Sequence, residues 1–166
     1  MWQAYYAKER LRLVRGLITT LREQYHCSYA NAVRVGLRFG RAASQFATAT
    51  SGYEAVLPDL EQGFGVVRSC VNASFDPSAV ARAELAWWVA RRVPEARSPE
   101  NVGRLIAEAN ALIFGVPSAQ VLDASVLRAR AGRLRDEGGD RADWSEVSDL
   151  LHRSYRRLHQ SVNAGL

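Results

Sequence analysis

The stretch DPSAVARAELAWWVARRVP, residues 76–94, decides the fold class of this chain. It opens with Asp76 and Pro77, a good N-cap followed by proline at the first helical position. From Val80 to Ala90, apolar side chains then cover nearly the whole circumference of a helix. A helix that is apolar on all sides is buried in a bundle or covered by another subunit. The stretch therefore predicts an all-α protein with a central apolar helix near 77–93.

Outward from this stretch, prolines and glycines divide the chain into further helical segments. Ser98 and Pro99 repeat the capping pattern, while Pro94 and Pro117 fall where helices should already have ended. We predict helices near 3–26, 29–50, 58–73, 77–93, 99–114, 118–136 and 144–163. The valine-rich run 64–71 has no second strand to pair with, so we predict helix there as well. We expect one all-α domain over residues 1–166, a bundle of about six or seven helices, because a chain of 166 residues buries a sizeable core.

The segment near 29–50 carries a stripe of small side chains that includes Gly36 and Gly40. Glycine inside a helix costs up to ~1 kcal/mol relative to alanine. The two glycines therefore predict either that another backbone packs unusually close or that the stripe makes room for a flat apolar ligand. The opposite side of this helix carries a polar stripe, made of Arg34, Arg38, Arg41 and Gln45.

Glu84 lies within the apolar surface of the central helix. A carboxylate in such a place is costly unless it is paired. Arg10, on the apolar side of the first helix, and Arg91, further along the same helix, are its candidate partners for a buried ion pair. An unpaired Glu84 would instead be a candidate general base. The ligand-binding residues that the sequence suggests are Gly36, Gly40, Glu84, Trp87 and Trp88.

Patterns that would carry metal or nucleophilic chemistry are incomplete. A di-iron bundle needs paired Glu-x-x-His motifs, and the chain offers Glu23-x-x-His26 and the variant Asp149-x-x-His152. Helical phase places both on outward faces, so we predict no catalytic residues, no metal and no cofactor. His152 and His159 are two turns apart on one helix, roughly 10 Å, which is too far to share an ion.

Charge and cysteine content bear on partners and location. The net charge is +5, and Lys8 is the only lysine. The uninterrupted arginines 128, 130, 133 and 135 point in different directions around their helix, so nucleic-acid binding is expected to be weak at most. Cys27 and Cys70 have no metal-type or redox spacing, and we expect reduced thiols in a cytoplasmic protein. No signal peptide or membrane span is expected.

Trp87 and Trp88 point about 100° apart on their helix and cannot fill the same place in one core. Either neighbouring helices surround both rings, or one side meets a symmetry mate, and the sequence slightly favours a homodimer. Our first functional hypothesis is a non-enzymatic helical accessory or protein-interaction module that forms a homo-oligomer. The alternative is a bundle that binds a small apolar ligand or cofactor. Nucleic-acid binding ranks third, and an enzyme that uses Glu84 ranks fourth.

Overall fold

The structure is a computed structural model that describes residues 18–163, apart from residues 20, 23, 24 and 72 and the side chain of Asp140. This part of the chain has six α-helices and no strand, which confirms the all-α prediction. The helices are α1 (Tyr29–Thr48), α2 (Leu57–Val71), α3 (Pro77–Ala90), α4 (Pro99–Phe114), α5 (Ser118–Gly138) and α6 (Trp144–Asn163). Short 3-10 turns precede α2 and follow α5. The segment predicted near 3–26 lies almost wholly outside the described residues.

Helix ends follow the capping residues in the sequence. The Ser98 hydroxyl accepts a hydrogen bond from the Asn101 amide at 3.2 Å, and Pro99 begins α4. The carboxylate of Asp76 accepts hydrogen bonds from two amides in the first turn of α3. Gly115 ends α4 with a φ of +65°, a left-handed conformation that favours glycine. The valine-rich run 64–71 is part of α2, so the helix predicted there is confirmed.

Contacts between residues divide the chain into two compact units, Met1–Ala81 and Arg82–Leu166. The boundary falls inside α3, whose buried residues are Val80, Ala81, Leu85, Trp87 and Ala90. Its exposed positions are Arg82 and Ala86 alone. A single domain over residues 1–166 stays a prediction.

The described core of the first unit lies between α1 and α2. Val35 and Ala42 of α1 and Val67 of α2 are fully buried, and Leu60 of α2 is 1% exposed. The Phe39 ring reaches across α2 at Gly63, where a Cβ atom would collide with it. Because Gly63 has no side chain, the Phe39 ring packs against Phe64 with ring centroids 4.9 Å apart.

Cys27 and Cys70 form a disulfide, so the prediction of reduced thiols is wrong. The bond links the segment before α1 to the last turn of α2, and the two Cα atoms are 4.9 Å apart. The cysteines are 43 residues apart in sequence, and only the antiparallel return of α2 along α1 brings them together. Spacing in the sequence carries no information about such a contact.

In the second unit, α5 packs against both α4 and α6. The backbones of α4 and α5 approach each other closely at Gly103. A Cβ atom there would lie 2.8 Å from the Cα and 3.0 Å from the amide nitrogen of Val126. Ala129, one turn after Val126 on α5, is also buried and belongs to the same cluster as Val102 and Ile106 of α4.

Buried polar side chains in the second unit are hydrogen-bonded. The Asn110 amide donates to the Ser125 hydroxyl at 3.2 Å, and that hydroxyl donates to the carbonyl of Val121. The Ser154 hydroxyl of α6 donates to the Ala124 carbonyl of α5 at 2.7 Å. Ser154 and Val147 are buried, as their place on the apolar seam of α6 predicts.

Close backbone packing at Gly40, expected from the sequence, does not occur among the described residues. Gly40 is exposed, and no atom lies within 4 Å of the place where its Cβ would be. The buried side of α1 instead carries Ala32, Val35 and Ala42. Helical spacing identifies a stripe of small residues but not whether another helix faces it.

The two glycines make a matched pair for measurement. Gly103→Ala should lower the free energy of unfolding by about 1–3 kcal/mol, because backbone atoms of Val126 cannot move aside without separating α4 and α5. Gly40→Ala should leave it unchanged or raise it by up to ~1 kcal/mol, because alanine favours the helix and meets no neighbour. Urea unfolding of both variants tests this. Equal effects of the two substitutions would contradict the packing described for Gly103.

A second prediction concerns the disulfide. Its removal in a Cys27→Ser/Cys70→Ser variant should lower the free energy of unfolding by about 2–4 kcal/mol, because a long loop is then open in the unfolded chain. Urea unfolding with and without dithiothreitol measures the effect. The natural chain should respond to the reductant, and the double variant should not. Free thiols titrating in the untreated protein would show that the pairing is wrong.

Candidate functional site

Four of the residues singled out from sequence, Glu84, Trp87, Trp88 and Arg91, lie together in the second unit. We name this group the tryptophan cluster and define it as Glu84, Trp87, Trp88 and Arg91 of α3 with Arg128 and Asp136 of α5. Trp87 is buried and packs on Val102 and Ile106 of α4 and Ala129 of α5. The hydrophobic floor built by α4 and α5 therefore positions the ring.

Glu84 holds both tryptophans of the cluster. One carboxylate oxygen accepts a hydrogen bond from the Trp87 indole and the other accepts one from the Trp88 indole, each at 3.0 Å. The spacings of three and four residues place all three side chains on neighbouring positions of one helix. The two rings meet edge to face, with centroids 6.1 Å apart. Both oxygens of Glu84 therefore have partners, which argues against its use as a free general base.

Arg91, one of the two candidate partners of Glu84, pairs instead with Asp136 of α5 at 2.6 Å. The partners of the Glu84 carboxylate are the two indole donors of the same helix. The other predicted partner, Arg10, lies outside the described residues.

Two guanidinium groups lie near the Trp87 ring. The Cζ atom of Arg128 is 5.2 Å from the ring centroid, and that of Arg91 is 5.9 Å away. These distances are typical of cation–π contacts, worth about 0.5–2 kcal/mol each. Arg128 has no hydrogen bond or salt bridge within the described part of the chain, and its Nε atom is buried without a partner. Within the described part of the chain, the contact recorded for its guanidinium group is therefore the face of the Trp87 indole.

Arg128 and Asp136 belong to the site but were not among the residues predicted for it. The sequence showed Arg128 only as one member of the arginine run on α5. The members of that run in fact have different partners: Arg130 pairs with Glu100, Arg133 with Glu137 and Arg135 with Asp136. The difference that sets Arg128 apart, the lack of a nearby carboxylate, depends on tertiary contacts and gives no sequence signal.

The first unit has a different kind of surface, on the outer side of α1. We name it the α1 outer face and define it as Tyr29, Val33, Leu37 and Gly40 with the flanking Arg34 and Arg41. Tyr29 is 63% exposed and Leu37 is 69% exposed, the largest values among the exposed large hydrophobic residues of the described chain. Gly40, one turn after Leu37, leaves open space beside it.

The five residues suggested as one ligand site belong to two different units. Gly36 and Gly40 lie on α1 in the first unit, while Glu84, Trp87 and Trp88 lie in the second. Gly36 is partly buried and Gly40 is exposed. A ligand site made of all five residues stays a prediction.

Other candidate chemistry is sparse in the described residues. A shallow hollow of about 450 Å³ is lined by Thr19, Arg22, His26 and Cys27. His152 and His159 are exposed, and Asp149 of the predicted Asp149-x-x-His152 pair contacts Arg153 at 3.5 Å. No three His, Cys, Asp or Glu side chains that the structure describes come together as a metal-binding group. The motif Glu23-x-x-His26 includes a residue outside the described set.

None of the described helices is both long enough and apolar enough to cross a membrane. Comparison of the chain with models of protein families, with curated proteins and with solved structures finds no match in any of the three.

Proposed function

We propose that this protein is a non-enzymatic helical interaction module, and that its α1 outer face binds an acidic amphipathic helix of another protein. The observation that carries the proposal is the exposure of Leu37, at 69%, on a helix whose charged side chains are all arginines. Two features support this proposal: the exposed apolar side chain of Leu37 and the positive charge of the arginines around it.

The apolar part of the face has the spacing of a helix-binding surface. Tyr29, Val33 and Leu37 recur every four residues, so they form one strip along α1. Single exposed apolar residues are common on protein surfaces, but here Tyr29 and Leu37 are exposed on one strip of one helix, with the partly buried Val33 between them. Such a strip is a candidate contact surface. Burying a leucine side chain in a complex would contribute about 1.5–3 kcal/mol. Gly40 adds a notch beside Leu37 where a partner side chain or backbone fits.

The charged part of the face selects an acidic partner. Arg34 and Arg41 lie next to Leu37 on the helix, and α1 contains no acidic residue. Arg38 and Arg41 share one carboxylate, Asp59, at 2.9 and 3.2 Å. Arg34 makes no salt bridge or hydrogen bond with any described residue. The face therefore carries uncompensated positive charge, which favours carboxylates across an interface.

The same charge opposes a homodimer through this face. A two-fold contact places identical patches against each other, so arginine would face arginine. The reason for expecting a homodimer from the sequence was the need to cover both tryptophans. Trp87 is buried and Trp88 is partly buried within the single chain. A homo-oligomer remains a second proposal that this face does not favour.

The proposed location also changes. The sequence predicts reduced cysteines in a cytoplasmic protein. A disulfide between Cys27 and Cys70 fits an oxidising compartment better, because cytosolic thiols are kept reduced. We therefore propose a site of action outside the reducing cytosol.

The test uses a photo-crosslinking amino acid, benzoylphenylalanine, in place of Leu37 in the native host. We expect cross-links to a segment of another protein that is helical, amphipathic and acidic. Charge reversal by Arg34→Glu should reduce the yield at least about tenfold, because a carboxylate then faces carboxylates. Because Leu37 and Arg34 are exposed, neither change should affect folding, which circular dichroism checks.

The matched control places the same amino acid at Leu112 of α4, which is 42% exposed and lies beside Glu108 rather than arginines. Cross-links from position 37 to α1 of a second copy would replace the proposal by homo-oligomerisation. Cross-links to RNA or DNA would favour the nucleic-acid hypothesis instead. Yields from position 37 no greater than those from position 112 would also overturn the proposal.

A further inference from the structure

We propose that the hollow beside Cys27 binds the phosphate group of a small organic molecule, with Thr19, Arg22 and His26 as the binding residues. The site belongs to the first unit and precedes α1 in the sequence. It does not depend on the function proposed for the α1 outer face. Three observations support it: the size of the hollow, the position of three hydrogen-bond donors on one side of a helical segment, and the lack of protein partners for those donors.

The hollow is large enough for more than a single ion. Its volume is about 450 Å³, within the range of roughly 300–1,000 Å³ that is typical of small-molecule pockets. The described residues that line it are Thr19, Arg22, His26 and Cys27. Cys27 is 4% exposed, and its disulfide with Cys70 fixes this part of the wall to α2. Thr19, Arg22 and His26 are exposed, so a ligand in solution can reach them.

The three polar residues lie on the same side of the chain. Residues 18, 19, 21, 22 and 25 are helical, and His26 follows them with a φ of +50°. The spacings of three and four residues from Thr19 to Arg22 and from Arg22 to His26 place them along one side of this segment. The left-handed backbone at His26 has a steric cost for any residue with a Cβ atom, and glycine usually takes such a position. A histidine occupies it here, and that residue lines the hollow.

The donors of these residues are available to a ligand. The side chains of Thr19, Arg22 and His26 make no hydrogen bond or salt bridge within the part of the chain that the structure describes. A guanidinium group donates two parallel hydrogen bonds to an oxyanion, and a hydroxyl group and an imidazole N–H each donate one. A phosphate monoester has three terminal oxygens that point in different directions, whereas a carboxylate has two oxygens in one plane. Donors at three separate positions therefore match a phosphate group better than a carboxylate.

The test is a titration of the ¹³C-labelled protein, with its disulfide intact, with phenyl phosphate at constant pH and at an ionic strength held constant with sodium chloride. The chain has three histidines, so the imidazole signals of His152 and His159, which are exposed on α6, are internal controls for that of His26. We expect a saturable shift at His26 and no saturable shift at the controls.

Two further probes separate the parts of the ligand. Benzoate carries a carboxylate on the same ring and should bind at least about tenfold more weakly than phenyl phosphate. Inorganic phosphate should also bind more weakly, because the hollow has room for an organic group beside the phosphate. Equal affinity for inorganic phosphate and phenyl phosphate would reduce the ligand to the free ion and overturn the assignment to an organic molecule.

Variants connect the shift to the binding residues. Arg22→Gln should weaken the binding of phenyl phosphate at least about tenfold, while Arg22→Lys keeps the charge, loses the two parallel hydrogen bonds and should have an intermediate affinity. Thr19→Val removes the hydroxyl group at nearly constant size and should also weaken binding. His26→Asn identifies the His26 signal by its disappearance. The matched control is Arg68→Gln of α2, which removes the same charge from an exposed position that does not line the hollow, and it should bind as the natural chain does.

Circular dichroism checks the folding of each variant, and Arg22→Lys and Thr19→Val retain the test if Arg22→Gln does not fold. The proposal is overturned by a shift at His26 that does not saturate, or by equal shifts at His152 and His159. It is also overturned if benzoate binds as tightly as phenyl phosphate, or if Arg22→Gln binds no more weakly than Arg68→Gln.

Discussion

The close approach of α4 and α5 at Gly103 is the constraint on which the second unit depends. Because Gly103 has no side chain, the backbone of Val126 can lie against α4 at a distance that any other residue would prevent. This contact brings Val102 and Ile106 of α4 beside Ala129 of α5, and these side chains form the floor under Trp87. The position of the tryptophan cluster thus follows from one glycine that carries no chemistry itself.

Local signals explain why so much of the helical structure could be predicted. Ser98 followed by Pro99 begins α4, and Gly115 ends it, as the capping chemistry of these residues requires. Such signals act over four or five residues, so they can be read without knowing the fold. The run 64–71 is rich in valine, but the sequence offers no second strand to pair with it, so helix was the correct prediction there.

Contacts between distant residues could not be predicted in the same way. Gly40 and Gly103 both lie inside helices, and the stripe of small residues around Gly40 made it the stronger candidate for close packing. The structure assigns that role to Gly103, because what matters is which helix lies opposite. The pairing of Cys27 with Cys70 depends likewise on the return of α2 along α1. Residue spacing alone therefore predicts neither the close packing at Gly103 nor the pairing of Cys27 with Cys70.

The hydrogen-bond partners of Glu84 determine how charge is distributed in the tryptophan cluster. The sequence indicated correctly that this carboxylate needs a partner, and the expected partner was an arginine. Indole N–H groups at the third and fourth following positions satisfy it instead, without adding a positive charge. Arg91 then pairs with Asp136, and no carboxylate in the described chain remains for Arg128. The excess positive charge of the chain is therefore not evenly spread: at Arg128, as at Arg34 on α1, it lies beside an apolar side chain. At Arg34 this setting is the basis of our proposal that the α1 outer face binds a partner with both carboxylates and apolar side chains, a requirement more specific than attraction to a polyanion.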